Sequence, residues 1–219
     1  QRSLVGSEMC IRDSAALVSS CLLGHGAPAQ LPASPAAAEY DASLETPYNA
    51  ASYASLLNEA LGTAKEGEKP LSLTLLVNED SSFKVAAAQE VAASLTNSRL
   101  TVTVEAVPWD TFIARLQNGQ FDLYYGEVRL SPNFDLSPFF GATGTLNYGD
   151  LSDSTMMNLC SMALVNSGNT YNLYKRVCER GYITPILFKS YALYTTRGAV
   201  TEPTRYLDWF LPYTVQTEE

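Results

Sequence analysis

The chain alternates between strand patterns and helix patterns in its middle third, and this alternation restricts the possible folds more than any other feature. Residues 71–77 form a continuous β-prone run, and residues 100–107 alternate between apolar and polar side chains. Apolar residues with helical spacing follow these two runs, over residues 83–95 and 109–116. A third strand is predicted over residues 121–128. The β-α-β-α-β order with short connections predicts an α/β fold whose sheet is parallel.

The third predicted strand leads into a polar loop that is a candidate ligand site. Glu127 and Arg129 are two positions apart, so on a strand they would lie on the same face. Ligands of open α/β sheets bind beyond the carboxyl ends of the strands. The two side chains either pair with each other or receive the opposite ends of a zwitterionic ligand. Asn133 follows in the same loop and is a further candidate.

Composition excludes several classes of function. The net charge is -9 and the basic residues form no cluster, which argues against nucleic-acid binding. A length of 219 residues with 46% hydrophobic content is enough for a sizeable core. No apolar run approaches the ~20 residues that span a bilayer. The sequence therefore predicts a folded domain without nucleic-acid or membrane-spanning function.

The cysteines and the single histidine do not suggest a metal or cofactor site. The four cysteines lack metal-ligand spacing, and the one histidine, His25, makes catalysis by a histidine base improbable. We therefore predict no cofactor, no metal and no enzymatic activity. Cys160 and Cys178 would pair only if their helices were neighbours. Two buried free thiols are favoured, because free cysteine is among the most buried residue types.

The amino terminus is expected to be partly foreign to the protein. Residues 1–14 have no useful periodicity and resemble the translation of a sequencing adapter, so they are left out of the fold argument. Residues 18–21 (VSSC) resemble a lipobox with Cys21 as the lipidated residue, but the preceding apolar stretch is short for a signal peptide. A helix over residues 15–23 that ends at Gly24 is favoured.

Six segments, in order along the chain, share sequence patterns with one protein family. They are residues 24–35 (GHGAPAQLPASP), 48–60 (YNAASYASLLNEA), 71–77, 107–122 (VPWDTFIARLQNGQFD), 144–148 (GTLNY) and 174–188. Together they resemble the extracellular solute-binding proteins of family 5, the peptide- and nickel-binding components of ABC importers. The resemblance implies a periplasmic-binding-protein-like (type II) fold, with the βαβαβ core in its second lobe.

The resemblance also implies a domain organisation. Residues 15–48 would be a remnant and loop of the preceding lobe, residues 49–181 the second lobe, and residues 182–219 a segment that returns to the first lobe. The chain would then be truncated at its amino terminus. Strands expected within residues 183–188 and 191–194 would have lost their partners, which leaves apolar edges exposed.

The function implied by the resemblance is capture of peptides or similar solutes between two closing lobes, for delivery to a membrane permease. It implies an extracytoplasmic location and membrane association only through a lipid anchor that this sequence lacks. In peptide-binding members an aspartate after the third strand holds the peptide amine. The corresponding loop here departs from that pattern: the anchoring position falls on Pro132, Asn133 or Asp135, and Asp135 is the only carboxylate among them. Its alternative role is to cap a short helix at residues 136–140.

Some remaining positions have both a functional and a structural interpretation, and others have only a structural one. Asn147 and Tyr148 suit recognition of a peptide backbone, or they are a turn residue and a half-buried aromatic. Trp109 is expected to pack in the core. The apolar face of one further helix is also expected to be core, and it comprises Met156, Met157, Leu159, Cys160, Met162 and Ala163.

Two functions from other classes remain open at this point. A hydrolase could use Glu127 and Asp135 as a carboxylate pair, as glycosidases do. Alternatively, a stand-alone interaction domain could dock a partner through carboxyl-terminal tyrosines, namely Tyr191, Tyr194, Tyr206 and Tyr213.

Overall fold

The structure is a computed structural model that describes residues 14–46, 50–62, 67–131 and 133–190. The helices of this part of the chain are α1 Ser14–Leu22, α2 Ala50–Leu61, α3 Ser82–Leu95, α4 Trp109–Gln117, α5 Ser137–Phe140, α6 Ser154–Val165 and α7 Thr170–Arg180. The strands are β1 Gly26–Pro28, β2 Leu71–Asn78, β3 Leu100–Val107, β4 Leu123–Tyr125 and β5 Leu187–Lys189. Within the described ranges, no helix is both long and apolar enough to cross a membrane.

The main sheet has the order β3-β2-β4, and both pairings are parallel. The parallel α/β sheet predicted from the sequence is therefore confirmed. The bounds of β2, α3, β3 and α4 agree with the predicted segments to within about a residue at most ends. The side chain of Ser81 caps α3 by accepting a hydrogen bond from the backbone N–H of Lys84 at 3.4 Å.

β4 is shorter than predicted, and the prediction of strand structure through residue 128 was wrong. At its start, the carboxylate of Asp122 accepts the backbone N–H of Thr74 at 2.9 Å, where a longer strand would place a backbone oxygen. At its end, Tyr125 is opposite Val77, and β2 stops one residue later at Asn78. Glu127 and Arg129 consequently lie in an irregular loop, so strand alternation does not fix their directions.

α3 and α4 cover opposite faces of the sheet. Alternate residues of β2 point to opposite sides, and Leu75 and Val77 pack with Ala87, Ala88 and other residues of α3. The intervening residue of β2, Leu76, packs in a second cluster with the α4 residues Phe112 and Leu116. Both faces of the sheet are thus buried, as expected for parallel strands.

A separate core lies beside the sheet and is built by α5, α6, α7 and the segment before α2. Its buried members include Leu31, Ala33, Leu136, Phe140, Met156, Cys160, Leu173, Tyr174 and Val177. Asp153 links two of these helices. It caps α6 by accepting the backbone N–H of Met156 at 2.9 Å, and Arg176 of α7 donates to both of its carboxylate oxygens.

The helix predicted before Gly24 is confirmed as α1. It ends in the left-handed conformation at Leu23 and Gly24, with φ of 51° and 83°. Leu17 is buried in the same cluster as α3, and Cys21 packs partly against that cluster. Ser14 is the first residue of α1, whereas the rest of the segment predicted to be foreign lies outside the described residues.

β1 and β5 form a two-stranded antiparallel sheet in which Gly26 is opposite Lys189. The expectation that residues 187 and 188 had lost a strand partner was therefore wrong, because β1 of the same chain supplies it. Gly26 sits close to the backbone of β5, where an added Cβ would lie 2.9 Å from the carbonyl oxygen of Phe188. Residues 191–194 and the carboxyl-terminal tyrosines lie outside the described residues.

Candidate functional site

A cavity of about 560 Å³ lies beside β4 and the loop that follows it, and we call it the β4 cavity. Its walls are residues 121–131, the α3 side chains of Phe83 and Val91, the apolar residues around Phe134, and the return segment 181–189. The cavity therefore extends past the carboxyl end of a parallel strand, the position where α/β sheets bind ligands.

Glu127, in the wall of this cavity, is the centre of a cluster of ion pairs. Its carboxylate is 3.1 Å from the ammonium group of Lys189 on β5 and 3.4 Å from that of Lys84 on α3. The ammonium group of Lys189 also lies 5.5 Å from the centre of the Phe83 ring. Glu127 thus joins three elements that are far apart in sequence. Pairing with Arg129 had been the structural alternative, and the ion pairs of Glu127 are instead with these two lysines.

The electrostatic environment keeps Glu127 ionised. Partial burial acts to raise its pKa, but the hydrogen bond and charge of Lys189, together with the charge of Lys84, outweigh burial and lower the pKa below its usual value. A carboxylate in this state accepts hydrogen bonds and cannot act as an acid at neutral pH. The cluster suits binding better than proton transfer.

The other candidates in the loop after β4 have different surroundings. Arg129 lines the β4 cavity together with Glu127. Asn133 is an exposed turn residue outside the cavity wall. Asp135 accepts the backbone N–H of Ser137 at 2.8 Å and its hydroxyl at 2.9 Å. Both oxygens of Asp135 are therefore engaged just before α5, but the N-cap position is Leu136 and has no side-chain cap hydrogen bond, so Asp135 makes a local turn contact and does not cap the helix.

Asn147 and Tyr148 lie away from the cavity wall and have structural contacts. The amide of Asn147 donates to the carbonyl oxygens of Gly141 and Leu151 and accepts the backbone N–H of Leu151, at 2.8 to 3.0 Å. Tyr148 packs edge-on against Tyr124, with ring centres 6.0 Å apart. Burial, and secondarily the neighbouring Tyr148, raises the pKa of Tyr124. These contacts match the turn and half-buried roles considered from the sequence.

Trp109 is not a core residue, and that prediction was wrong. The side chain is 49% exposed at the first position of α4, and its ring is 6.0 Å from the ring of Phe112. The buried positions of α4 are occupied by Phe112 and Leu116, so Trp109 lies at the carboxyl-terminal edge of the sheet beyond β3.

Met162 of α6 was also expected in the core but is 42% exposed, whereas Met156 and Cys160 of the same helix are buried.

Cys160 and Cys178 are both free thiols, as favoured from the sequence; Cys160 is buried as expected, whereas Cys178 is only half-buried. Burial raises the pKa of each to about 11. Across the described ranges, no three side chains of the metal-ligating types come together as a possible metal site.

Sequence reasoning missed two residues of the β4 cavity, Phe83 and Lys189, and it also missed Lys84, which pairs with Glu127. Lys84 did carry a signal, because a lysine in the first turn of a helix opposes the helix dipole. Lys189 carried none, because it is 62 positions from Glu127 in sequence. Only the pairing of β5 with β1 brings it to the cavity.

The sequence model of the family described as bacterial extracellular solute-binding proteins, family 5, middle region, matches residues 11–147. This is more than half of the chain. The protein belongs to that family. A search of curated protein sequences found no match.

Solved structures of such proteins share the fold at low sequence identity. The oligopeptide-binding protein of Bacillus subtilis in complex with a nonapeptide superimposes with a TM-score of 0.72 at 19% identity, over 86% of this chain and 42% of its own. The NikA protein of Staphylococcus aureus in complex with Ni(L-His)2 gives 0.72 at 16% identity, over 84% and 41%. The murein tripeptide-binding protein of Escherichia coli gives 0.71 at 20% identity, over 86% and 39%. The chain thus spans about two fifths of the length of these relatives.

Proposed function

We propose that this chain is part of the substrate-binding component of an ABC importer and that the β4 cavity contributes to its solute site. The observation that carries the proposal is the β4 cavity itself, which runs beside a parallel strand and extends past its carboxyl end in a chain of the solute-binding family. The cavity combines apolar walls with a few ionic groups, as small-molecule sites usually do.

The proposed solutes are peptides or peptide-like molecules. Two of the three relatives described above bind an oligopeptide or a murein tripeptide. The apolar wall suits peptide side chains, and the ionic cluster suits a charged terminus. The partner that receives the solute would be a membrane permease of the importer, and closure of two lobes around the solute would prepare its transfer.

The proposed location is extracytoplasmic, at the periplasm or the outer face of the cell membrane. The support is the family, whose description is extracellular. Association with the membrane would occur through a lipid anchor on the intact protein.

The hydrolase alternative is disfavoured by the state of its two carboxylates. Glycosidases need one carboxyl group with a raised pKa as an acid. Glu127 has a lowered pKa beside two lysines, and both oxygens of Asp135 are occupied by Ser137. We therefore propose that the protein binds its ligand and carries out no chemistry on it.

The test is a binding measurement with a variant that fills the cavity. The intact protein is incubated with libraries of dipeptides to nonapeptides and, separately, with nickel–histidine complexes, and bound molecules are identified by native mass spectrometry. Val128→Trp, in the cavity wall, should abolish peptide binding. Val165→Trp, at the exposed end of α6, is the matched control and should leave binding unchanged. Peptide binding that survives in Val128→Trp would place the site elsewhere.

A further inference from the structure

One part of the β4 cavity is walled by the core between the sheet and α3, and we call this part the α3 pocket. Two of its side chains are buried in that core, and the others are partly buried and pack against it. The α3 pocket comprises Leu75, Phe83, Val91, Leu95, Leu123 and Ile186. The cavity wall here is therefore continuous with the hydrophobic core and contains side chains of β2, α3, β4 and the return segment.

The size of the β4 cavity distinguishes the α3 pocket from an ordinary packing gap. The cavity has a volume of about 560 Å³, whereas packed protein interiors contain few voids larger than a water molecule. Apolar side chains that face such a volume lose dispersion contacts that a close neighbour would supply. An apolar group of a ligand would restore those contacts, and apolar cavities of about 150 Å³ in other proteins bind molecules such as benzene.

The polar side chains that adjoin the α3 pocket along the chain already have partners. Ser94, between Val91 and Leu95 on α3, donates its hydroxyl to the carbonyl oxygen of Val91 at 2.8 Å. Asp122 precedes Leu123, and its carboxylate accepts the backbone N–H of Thr74 at 2.9 Å. A polar ligand group in this pocket would thus lose water without gaining these side chains as new partners, which is unfavourable. An apolar group has no such cost.

We propose that the α3 pocket receives a large apolar side chain of the solute, such as that of leucine or phenylalanine, and makes the protein selective for peptides that contain one. The inference rests on the proposed function, because it assigns a class of side chain to the solute of the same cavity. Val91 and Ile186 are specificity-determining residues that border the pocket from separate elements. The carbonyl oxygen of Ile186 accepts the backbone N–H of Ala29 at 3.2 Å, which holds the return segment in place.

The first test starts from a peptide that the intact protein selects from the library described above. Variants of this peptide carry leucine, phenylalanine, alanine or asparagine at one position at a time, and calorimetry gives their affinities. At one position, leucine should bind about tenfold or more tightly than alanine, whereas asparagine, of similar shape, should give no gain. Equal affinities for leucine and asparagine at every position would overturn this inference and leave the proposed function intact. If the protein selects no peptide, the proposed function fails and this inference with it.

The second test changes the volume of the α3 pocket and takes the ratio of leucine to alanine affinity as its readout. Val91→Phe fills the pocket and should reduce that ratio several-fold. Ala93→Phe, at an exposed position of the same helix, is the matched control and should not change it. Ile186→Ala enlarges the pocket and should shift the preference from leucine towards tryptophan, and it decides the question if Val91→Phe does not fold. Melting temperatures that fall in both pocket variants while the preference stays that of the wild type would mean that these residues only pack the core, which contradicts the proposal.

Discussion

Trp109 and Phe112 lie one helical turn apart at the start of α4, yet their surroundings are opposite. Phe112 is 4% exposed and packs between Leu76 and Leu116, whereas half of the Trp109 side chain is in water. The size of an aromatic side chain therefore does not measure its contribution to the free energy of unfolding. Burial determines that contribution, because the hydrophobic stabilisation by a side chain scales with the apolar area removed from water.

We expect Trp109→Ala to lower the free energy of unfolding by about 1 kcal/mol, as is usual for a partly exposed position. Phe112→Ala is the matched comparison and should lower it by about 3–5 kcal/mol, because it leaves a cavity in the core. Urea denaturation of both variants checks this. A loss of several kcal/mol for Trp109→Ala would show that the ring is packed in solution.

The two thiols of the α6–α7 core should be almost inert in the folded protein. With a pKa of about 11, the thiolate fraction of Cys160 and Cys178 at pH 8 is roughly a hundredfold lower than that of a thiol at the usual 9.0. Labelling with a maleimide followed by peptide mapping should show slow reaction at both positions and fast reaction in denaturant. Rapid labelling of Cys160 before unfolding would contradict the burial seen here.

Single residues of the site were only partly predictable from sequence. A structural role of Asp135 near α5 could be anticipated because its partner, Ser137, is two residues away, although the N-cap position is Leu136. Glu127 lies in the wall of the β4 cavity, and its role in ligand binding stays a prediction, but its ion-pair partners were not identifiable from the sequence. Lys84 and Lys189 are distant in sequence, and an ion pair between distant positions leaves no periodic signal.

At the scale of elements, α6 and α7 are joined by one carboxylate that has two roles. Asp153 caps α6 through the backbone N–H of Met156 and pairs with the guanidinium of Arg176 on α7. Only 8% of its side chain is exposed. The hydrogen bonds from Arg176 lower its pKa below the usual 3.8, against the opposing effect of burial.

Two substitutions separate the roles of Asp153. Asp153→Asn retains a cap acceptor and loses the charge, whereas Asp153→Ala loses both. The difference between them in the free energy of unfolding should be about 1 kcal/mol, the usual value of a helix cap. Chemical denaturation at pH 7 measures it. Equal stability of the two variants would mean that the cap contributes nothing.

The ion pair between Asp153 and Arg176 also predicts how the free energy of unfolding depends on pH. Because the pKa of Asp153 is lower in the folded state, its charge stabilises the fold above the unfolded value near pH 4, and this contribution is lost as the pH falls through the folded value. The stability difference between wild type and Asp153→Asn should therefore shrink between pH 7 and about pH 3. A difference that is independent of pH would contradict the ion pair.

The strands of the sheet were predictable where the β-prone run in the sequence has the same length as the segment that is paired with a neighbouring strand. β2 and β3 have eight consecutive paired residues, and each has a clear β-prone run. β4 was overestimated because its sequence continues to favour a strand after its neighbour has ended. The length of a strand depends on its partner, and a single-sequence pattern contains no such information.

At the scale of the whole molecule, the described residues form a core between the sheet and α3 and another among α5, α6 and α7, and the β4 cavity lies against residues of both. Phe83 and Val91 pack in the first core, whereas Phe134 and Leu136 belong to the second. The return segment with Lys189 completes the wall. A ligand in this cavity would therefore contact parts of the fold that the sequence places far apart.

The last prediction concerns how much of the binding site this chain contains. It spans 42% of the Bacillus subtilis oligopeptide-binding protein, and clamp affinity depends on burial of the ligand between two lobes. Under the proposed function this chain supplies only part of the contacts, while association still costs the full loss of translational and rotational freedom. We therefore expect the 219-residue chain by itself to bind peptides more weakly than about micromolar, as measured by calorimetry. Joining it to the first lobe of a family member should tighten binding at least tenfold. Micromolar or tighter binding by the chain alone would mean that the β4 cavity is a sufficient site and that closure of a second lobe is not needed for affinity.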